Sequence, residues 1–504
     1  MEFISDFTIR ALGFFATLFV VAVGLAALAL LVIYFVDSTQ SKDAVRHNYP
    51  VIGRFREIFT RLGEFFRQYF FALDREEMPF NRAERDWIYK SAKGENNTHP
   101  FGSTRRLTVV GTPIFVNAPF PRLDEKASDP PPVIFGPYTT EPYEGSSIIN
   151  ISAMSYGSLS RPAIVALSHG ARAAGCYLNT GEGGLSPHHL SGGCDVIFQM
   201  GTAKYGVRDE HGDLDAERLR ELAAIPQVKM IEVKLAQGAK PGKGGILPAA
   251  KVTEEIASIR GIPVGQPSLS PNRYPEIDSV DDLLDFIDRV RIISGLPTGF
   301  KTVLGAYGWV DDLCDAIDRR GVQSAPDFIT LDGGDGGTGA APMSLMDNVG
   351  LPLKSSLPML SHILERRGLK ERIKIVASGK LVTPAEVAWA YCAGADTVNS
   401  ARGFMFSIGC IQALRCHTND CPTGITTHKK SLQDGLDPAM KSKDAASYVK
   451  KMRKDVAMIA HSCGAEHARD LRPFHVRMVQ DNGASIPLDE LMNKRRPLAP
   501  HEYA

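Results

Sequence analysis

Hydrophobic and polar positions along this chain follow three successive patterns. Between Ala11 and Val36 no charge interrupts 26 residues, enough to cross a bilayer with some tilt. A cleaved leader would carry a shorter apolar core and a basic start, whereas this chain begins Met-Glu-Phe-Ile-Ser-Asp. From Arg54 to Phe71 the spacing turns helical and one-sided. Phe55, Ile58, Phe59, Leu62, Phe65, Phe66 and Tyr69 share one face, with Arg56, Arg61 and Arg67 away from its centre. Such a helix suits a lipid surface, or packing of its aromatic stripe on a globular domain. Residues 78–132 are mixed, and Leu107–Val116 predicts a short hairpin.

From about Gly145 short apolar runs end in glycine or small polar residues and alternate with helical stretches. The pattern predicts strands at Ile148–Ala153, Tyr177–Thr180, Met230–Leu235, Gly299–Val303, Phe328–Leu331, Ile373–Ala377 and Thr397–Asn399, with another near Val196–Met200 or Val264. Helices are predicted at Arg161–Ala174, Ala249–Ile259, Val280–Ser294, Trp309–Arg320 and Pro384–Ala393. This alternation fits an α/β protein with a parallel sheet, and the number of units favours a closed (β/α)8 barrel. The rival is a doubly wound open sheet, which would carry G-x-G-x-x-G after its first strand; here that strand runs into Ser-Ala-Met-Ser-Tyr-Gly-Ser. The expected division is a membrane anchor (1–37), a helical and hairpin linker (38–144), the barrel with a cysteine segment (145–430) and a helical extension (431–504).

Charge adds a topology. Formal net charge is zero, so nothing global favours nucleic acid. Glu2, Asp6 and Arg10 precede the apolar run, while Lys42, Arg46, Arg54, Arg56, Arg61 and Arg67 follow it. That asymmetry predicts a single-pass protein with its catalytic domain on the cytoplasmic side. Five of the eight cysteines are scattered, as suits reduced thiols.

The other three cysteines lie within twelve residues, Cys410, Cys416 and Cys421, spaced C-x5-C-x4-C and followed by Pro and Gly. Clustered thiolates on a turn-rich segment suit an iron–sulfur cluster. A disulfide would leave one cysteine over, and zinc sites usually show closer C-x2-4-C pairs. Lys234 and Lys301 sit in apolar strands, where an ammonium needs an anionic ligand or a core carboxylate. Glycine runs after Leu331, in Ala-Ser-Gly-Lys and in Ser-Ala-Arg-Gly would let backbone N–H groups approach a phosphate. His188 and His189 are read as loop polarity rather than metal ligands.

These stretches together carry a resemblance. SAMSYGSLS from Ser152, NTGEGG from Asn179, KLAQGAKPGKGG from Lys234, DGGDGGTGAAP from Asp332 and CHTNDCPTG from Cys416 resemble the flavin domain of glutamate synthase, more narrowly the stand-alone FMN-binding glutamate synthase family. The likeness covers roughly 145–430. It implies an FMN-bearing TIM barrel with a three-iron (3Fe-4S) cluster that reduces 2-iminoglutarate, formed from 2-oxoglutarate and ammonia, to glutamate. Carried over by motif, Cys410, Cys416 and Cys421 would ligate the cluster. Ala153, Met154 and Ser155 would face the flavin, with Gln199 and Lys301 near its ring. Gly336, Gly337, Thr338, Gly379, Arg402 and Gly403 would meet its phosphate. Lys234, Gln237 and Lys240 match substrate-pocket positions. Glu182 matches the active-site acid, and donates a proton provided the site raises its pKa.

The chain departs from the large glutamate synthases at both ends. They begin with a glutamine-hydrolysing domain whose nucleophile is an N-terminal cysteine; here the first cysteine is Cys176, so glutamine hydrolysis is not expected. Their C-terminal β-helix is not expected either. No dinucleotide fingerprint is present, so electrons would come from ferredoxin or a separate reductase subunit. Two rivals stand beside ammonia-dependent glutamate synthesis: an N-substituted (N-methyl) glutamate synthase component working on another amine with partner subunits, and a non-catalytic membrane electron-transfer subunit.

Overall fold

The computed structural model describes residues 2–40, 43–123 and 128–494. It divides into two compact units, 1–82 and 83–504.

The first unit is helical. Glu2–Thr39 forms one helix of 38 residues, and its stretch Asp6–Thr39 is long and apolar enough to cross a membrane, with none of its most apolar window buried. A short helix, Ala44–Asn48, is capped by the Asp43 carboxylate. Gly53–Phe66 follows and continues into a single π-helical turn, Arg67–Phe71.

The second unit is built on a closed barrel of eight parallel strands. They are β1 (Ile149–Ile151), β2 (Leu178–Asn179), β3 (Val196–Met200), β4 (Val228–Lys234), β5 (Thr298–Thr302), β6 (Phe328–Asp332), β7 (Lys374–Ser378) and β8 (Thr397–Ser400). Each pairs with its sequence neighbours, and β8 closes on β1 through Val398–Ile149, Asn399–Asn150 and Ser400–Ile151. Nearly every strand residue is buried, which is why the strands read as continuous apolar runs rather than alternating ones. The third strand lies at Val196–Met200, while Val264 falls in a turn.

Local signals set the helix ends. Arg161–Ala174 starts at a Ser160 cap and stops at Gly175, whose φ of 62° is left-handed. Val280–Ser294 is bounded by Ser279 and Gly295 in the same manner. The helix expected over Ala249–Ile259 is broken: Ala249–Lys251 is a 3-10 turn, and Thr253 caps a new helix, Glu254–Arg260.

Two further elements differ from the sequence reading. Leu107–Val116 is no hairpin, because Pro113–Phe115 pairs antiparallel with Val476–Val479, more than 350 residues away. That strand also pairs with Ser485–Pro487, so the C-terminal extension is helical in Pro438–Ser462 and in Leu488–Lys494 but sheet between them. Short strands with distant partners leave no local period to read. A true hairpin lies elsewhere, Val133–Phe135 against Tyr143–Gly145. Its Val133 and Phe135 pack against Tyr177, Ile197, Met230, Phe328 and Val376, plugging the end of the barrel where the strands start. The chemistry is left to the opposite end.

Candidate active site

The C-terminal ends of the strands border a cleft of about 1050 Å³, its open mouth included. Ala153, Met154 and Ser155 leave β1 along one wall. Glu182 follows β2, Gln199 lies in β3, Lys234 ends β4 and Lys301 lies in β5. Gln237, Lys240, Gly337, Thr338, Arg402 and Cys416 also line it. One cleft thus gathers side chains spread over more than 260 residues. Gly336, Gly379, Gly403, Cys410 and Cys421 stand outside its lining. Gly403 is demanded by packing, since a Cβ there would lie 2.3 Å from the Tyr448 hydroxyl.

Both strand lysines are paired with carboxylates. Lys234 Nζ donates to Glu182 Oε1 at 2.7 Å and to Gln237 Oε1 at 3.2 Å. Gln237 Nε2 in turn donates to Thr338 Oγ1 at 3.1 Å. Lys301 Nζ lies 3.3 Å from Asp332 Oδ2, and Asp332 also accepts from Gly238 N and Ser378 Oγ. Burial alone would depress the Lys301 ammonium, but Asp332 and Glu232 outweigh it and hold its pKa above the ordinary value.

Glu182 sits in a slot made by glycines. A Cβ on Gly201 would come within 2.7 Å of Glu182 Cβ, and one on Gly245 within 2.6 Å of Glu182 Oε1. Burial works to raise the Glu182 pKa, yet Lys234, then Lys240 and Arg260, bring it below the ordinary carboxyl value. This is opposite to the upward tuning that a resting proton donor needs. Lys240 goes the other way: burial, then the neighbouring Lys234, push its ammonium down.

Three residues that the sequence reading missed belong here. Arg260 lines the cleft and is only 5% exposed, its guanidinium donating to Ser268 Oγ and Tyr156 O. Lys251 donates to the carbonyls of Ser158, Cys416 and Thr426, and burial lowers its ammonium to about 8. Glu232 lies in the barrel interior, 1% exposed, and accepts from Asn179 Nδ2, Gln199 Nε2 and Thr330 Oγ1. Gln199, which lines the cleft, is thus held by its amide nitrogen on Glu232. The only local signal was a charged residue within an apolar strand, the signal that had flagged Lys234.

The cysteine segment is irregular from Ile408 to Lys429 and tied down from several sides. Tyr89 donates to Cys410 O, Asn419 Nδ2 to Ala250 O and Ser160 N to Ile425 O. Gln412, Leu414 and Asn419 take positive φ, conformations that persist only when the surroundings over-determine them. Cys410 and Cys421 are buried, and Cys416 opens onto the cleft. The three thiols are near enough to interact electrostatically. Arg402 Nη1 lies 3.7 Å from Cys416 Sγ, and the Lys251 ammonium feels both Cys416 and Cys421. Among the described residues no three His, Cys, Asp or Glu side chains converge to chelate a single ion. The cations Arg402 and Lys251 beside these thiols would offset the negative charge of thiolates.

Beside Thr338 the cleft has open room and a cation. Gly339 lines it, and a Cβ there would meet nothing within 4 Å, so glycine leaves backbone facing open space. Arg402 adds a guanidinium, which bonds the Thr338 carbonyl. His188 and His189 are structural: His188 Nε2 contacts Glu255 Oε1 at 2.7 Å, and His189 bonds Ser186 Oγ at 2.8 Å.

Residues 123–466 match the conserved region in glutamate synthase. The match runs past the barrel at both ends, taking in the plugging hairpin and the long helix Pro438–Ser462. The chain is 38% identical to the glutamate synthase large subunit-like protein YerD of Bacillus subtilis, over 92% of this chain and 95% of that protein. It is 33% identical to the archaeal-type glutamate synthase (NADPH) of Thermotoga sp. (strain RQ2), over 64% of this chain and 61% of that protein. The archaeal glutamate synthase (NADPH) of Methanocaldococcus jannaschii is 32% identical, over 64% of this chain and 60% of that protein. The chain thus spans nearly all of the first relative and about three fifths of the other two. It belongs to the glutamate synthase family and is an oxidoreductase of that type.

Proposed function

We propose that this protein makes glutamate by reducing 2-iminoglutarate, formed from 2-oxoglutarate and ammonia, on a flavin held in the cleft. The observation that carries this reading is the charge balance around Glu182. Lys234, Lys240 and Arg260 line the same cleft and all act on Glu182, and three cations around one carboxylate suit a dianionic substrate.

FMN would be held between Ala153–Ser155 and the Gly337–Thr338 turn, with Lys301 and Gln199 at its ring and Arg402 toward its phosphate. Cys410, Cys416 and Cys421 would hold the three-iron cluster. When bound, FMN joins one-electron supply from such a cluster to hydride chemistry at carbon.

The chain's own residues then have distinct tasks. Lys240 and Arg260 grip the substrate carboxylates and orient the reacting carbon. A substrate carboxylate that takes over Lys234 deprives Glu182 of its nearest cation. Burial then raises the Glu182 pKa, so the group takes up a proton when substrate arrives and can pass it to the imine nitrogen. The glycine slot of Gly201 and Gly245 keeps its carboxyl aimed. The helix Glu2–Thr39 anchors the protein in a membrane with the catalytic unit on the cytoplasmic side, and a separate carrier or reductase delivers electrons.

The test is a single turnover. Enzyme reduced in advance should be reoxidised by 2-oxoglutarate with ammonia, forming glutamate. No reoxidation with any amine would sink imine reduction, and reoxidation with methylamine alone would move the assignment to N-methylglutamate synthesis.

A further inference from the structure

The N-terminal unit holds a surface that the proposed reaction does not use. In Gly53–Phe71 the side chains of Phe55, Phe59, Leu62 and Phe66 lie on one helical stripe and are 41–66% exposed. Phe70 and Phe71 extend the apolar surface at the end of the π turn, 66% and 74% exposed. Exposed aromatic surface of this extent calls for an occupant.

The stripe is fixed to the base of the apolar helix by a built elbow. Asp37, in the last turn of Glu2–Thr39, is 1% exposed. Its carboxylate accepts from Arg54 Nε at 2.8 Å, Arg54 Nη2 at 2.7 Å and Val51 N at 3.1 Å. The bidentate geometry fixes direction as well as distance. Val51 turns the chain with a φ of 65°, a conformation costly for a β-branched residue. Gly53 permits the close crossing, since a Cβ there would lie 2.9 Å from Val45 O. Arg46 pairs with Glu57 across the same bend.

Charge selects the occupant. Residues 43–71 carry five arginines against Asp43, Glu57 and Glu64. At 100° per residue, Arg56 and Arg61 flank the apolar stripe rather than entering it, while Arg54 is committed to Asp37. Arginines so placed can reach headgroups while the aromatic rings enter the acyl boundary.

We propose that Gly53–Phe71 is an interfacial helix whose aromatic face lies in the surface of an anionic bilayer, held there by the Asp37–Arg54 elbow. The inference rests on the reading of Glu2–Thr39 as a membrane span.

The experiment uses the full-length protein in phosphatidylcholine vesicles with and without phosphatidylglycerol. A photoreactive p-benzoylphenylalanine replaces Phe59, and in a second protein Leu25. The expected result is lipid adducts at both positions, with the yield at position 59 rising at least about threefold when phosphatidylglycerol is present and the yield at 25 indifferent to it. Asp37→Asn should lower the yield at 59 about threefold or more while leaving 25 unchanged. Crosslinks from 59 to the catalytic unit or to a second copy, with lipid adducts at 25, would overturn the inference and leave the span intact. Lipid adducts at neither position would overturn both. An Asp37→Asn protein that behaves as wild type would remove the elbow from the argument and overturn the proposal as stated.

Discussion

Replacing Lys234 by methionine tests the charge logic of the cleft most directly. Methionine keeps much of the apolar stem and removes the ammonium, which is almost buried and bonds Glu182 at 2.7 Å and Gln237 at 3.2 Å. Lys240 and Arg260 remain, so the cleft keeps part of its attraction for a dicarboxylate. What is lost is one fixed, charge-assisted contact, about 2–4 kcal/mol. At about 1.4 kcal/mol per decade, 2-oxoglutarate should bind roughly thirty- to several-hundred-fold more weakly.

The same change strands the Glu182 carboxylate in its glycine slot, and breaking such a pair also costs stability. The double variant Lys234→Met/Glu182→Gln separates the two effects. It should regain part of the thermal stability, because the stranded carboxylate is gone, yet stay weak for 2-oxoglutarate. Calorimetric titration gives the affinity and thermal melts give the stability. A folded Lys234→Met protein that binds 2-oxoglutarate within about twofold of wild type would refute the assignment of Lys234 to substrate.

Four further outcomes are expected. Gly201→Ala places a Cβ 2.7 Å from Glu182 Cβ and should lower turnover on the order of tenfold to a hundredfold with flavin content unchanged; unchanged turnover would remove the slot from the mechanism. Cys416→Ser should strip iron while flavin stays bound, read by metal analysis and absorbance, because the two groups use different side chains. Asp327 is fully buried and meets Arg291 at 3.0 Å and Arg372 at 2.9 Å, so Asp327→Ala should cost about 3–5 kcal/mol in urea unfolding. Burial lowers His189 to about 4, so below about 6.5 the unfolded chain takes up a proton that the folded chain refuses. The stability margin of wild type over His189→Asn should therefore be full at pH 7 and shrink by about 3 kcal/mol as pH falls through 4, as urea melts at the two pH values would show.

The sequence by itself determined the barrel and the position of its chemistry. Buried parallel strands appear as unbroken apolar runs, and their helices carry Ser or Thr at the start and Gly at the end, as at Ser160 and Gly175. Because side chains at strand ends face the working end of such a fold, Lys234 and Lys301 stood out as charges within apolar strands, whereas Glu182 was legible only through the resemblance of its Asn-Thr-Gly-Glu-Gly-Gly stretch. The cysteine spacing was legible for the same local reason.

Only the tertiary structure decided what those groups do to one another. That Glu182 is held below its ordinary pKa rather than above it depends on Lys234, Lys240 and Arg260, brought to it from up to 78 positions along the chain. Gln199 is oriented by Glu232, and the Glu182 slot is cut by Gly201 and Gly245, glycines that in sequence look like any loop. The strand Pro113–Phe115 found its partner at Val476–Val479, and the tyrosine that holds Cys410 comes from residue 89. Coulomb energies and hydrogen bonds depend on distance in space, and local pattern carries no record of which distant residues the fold will bring within 3 Å.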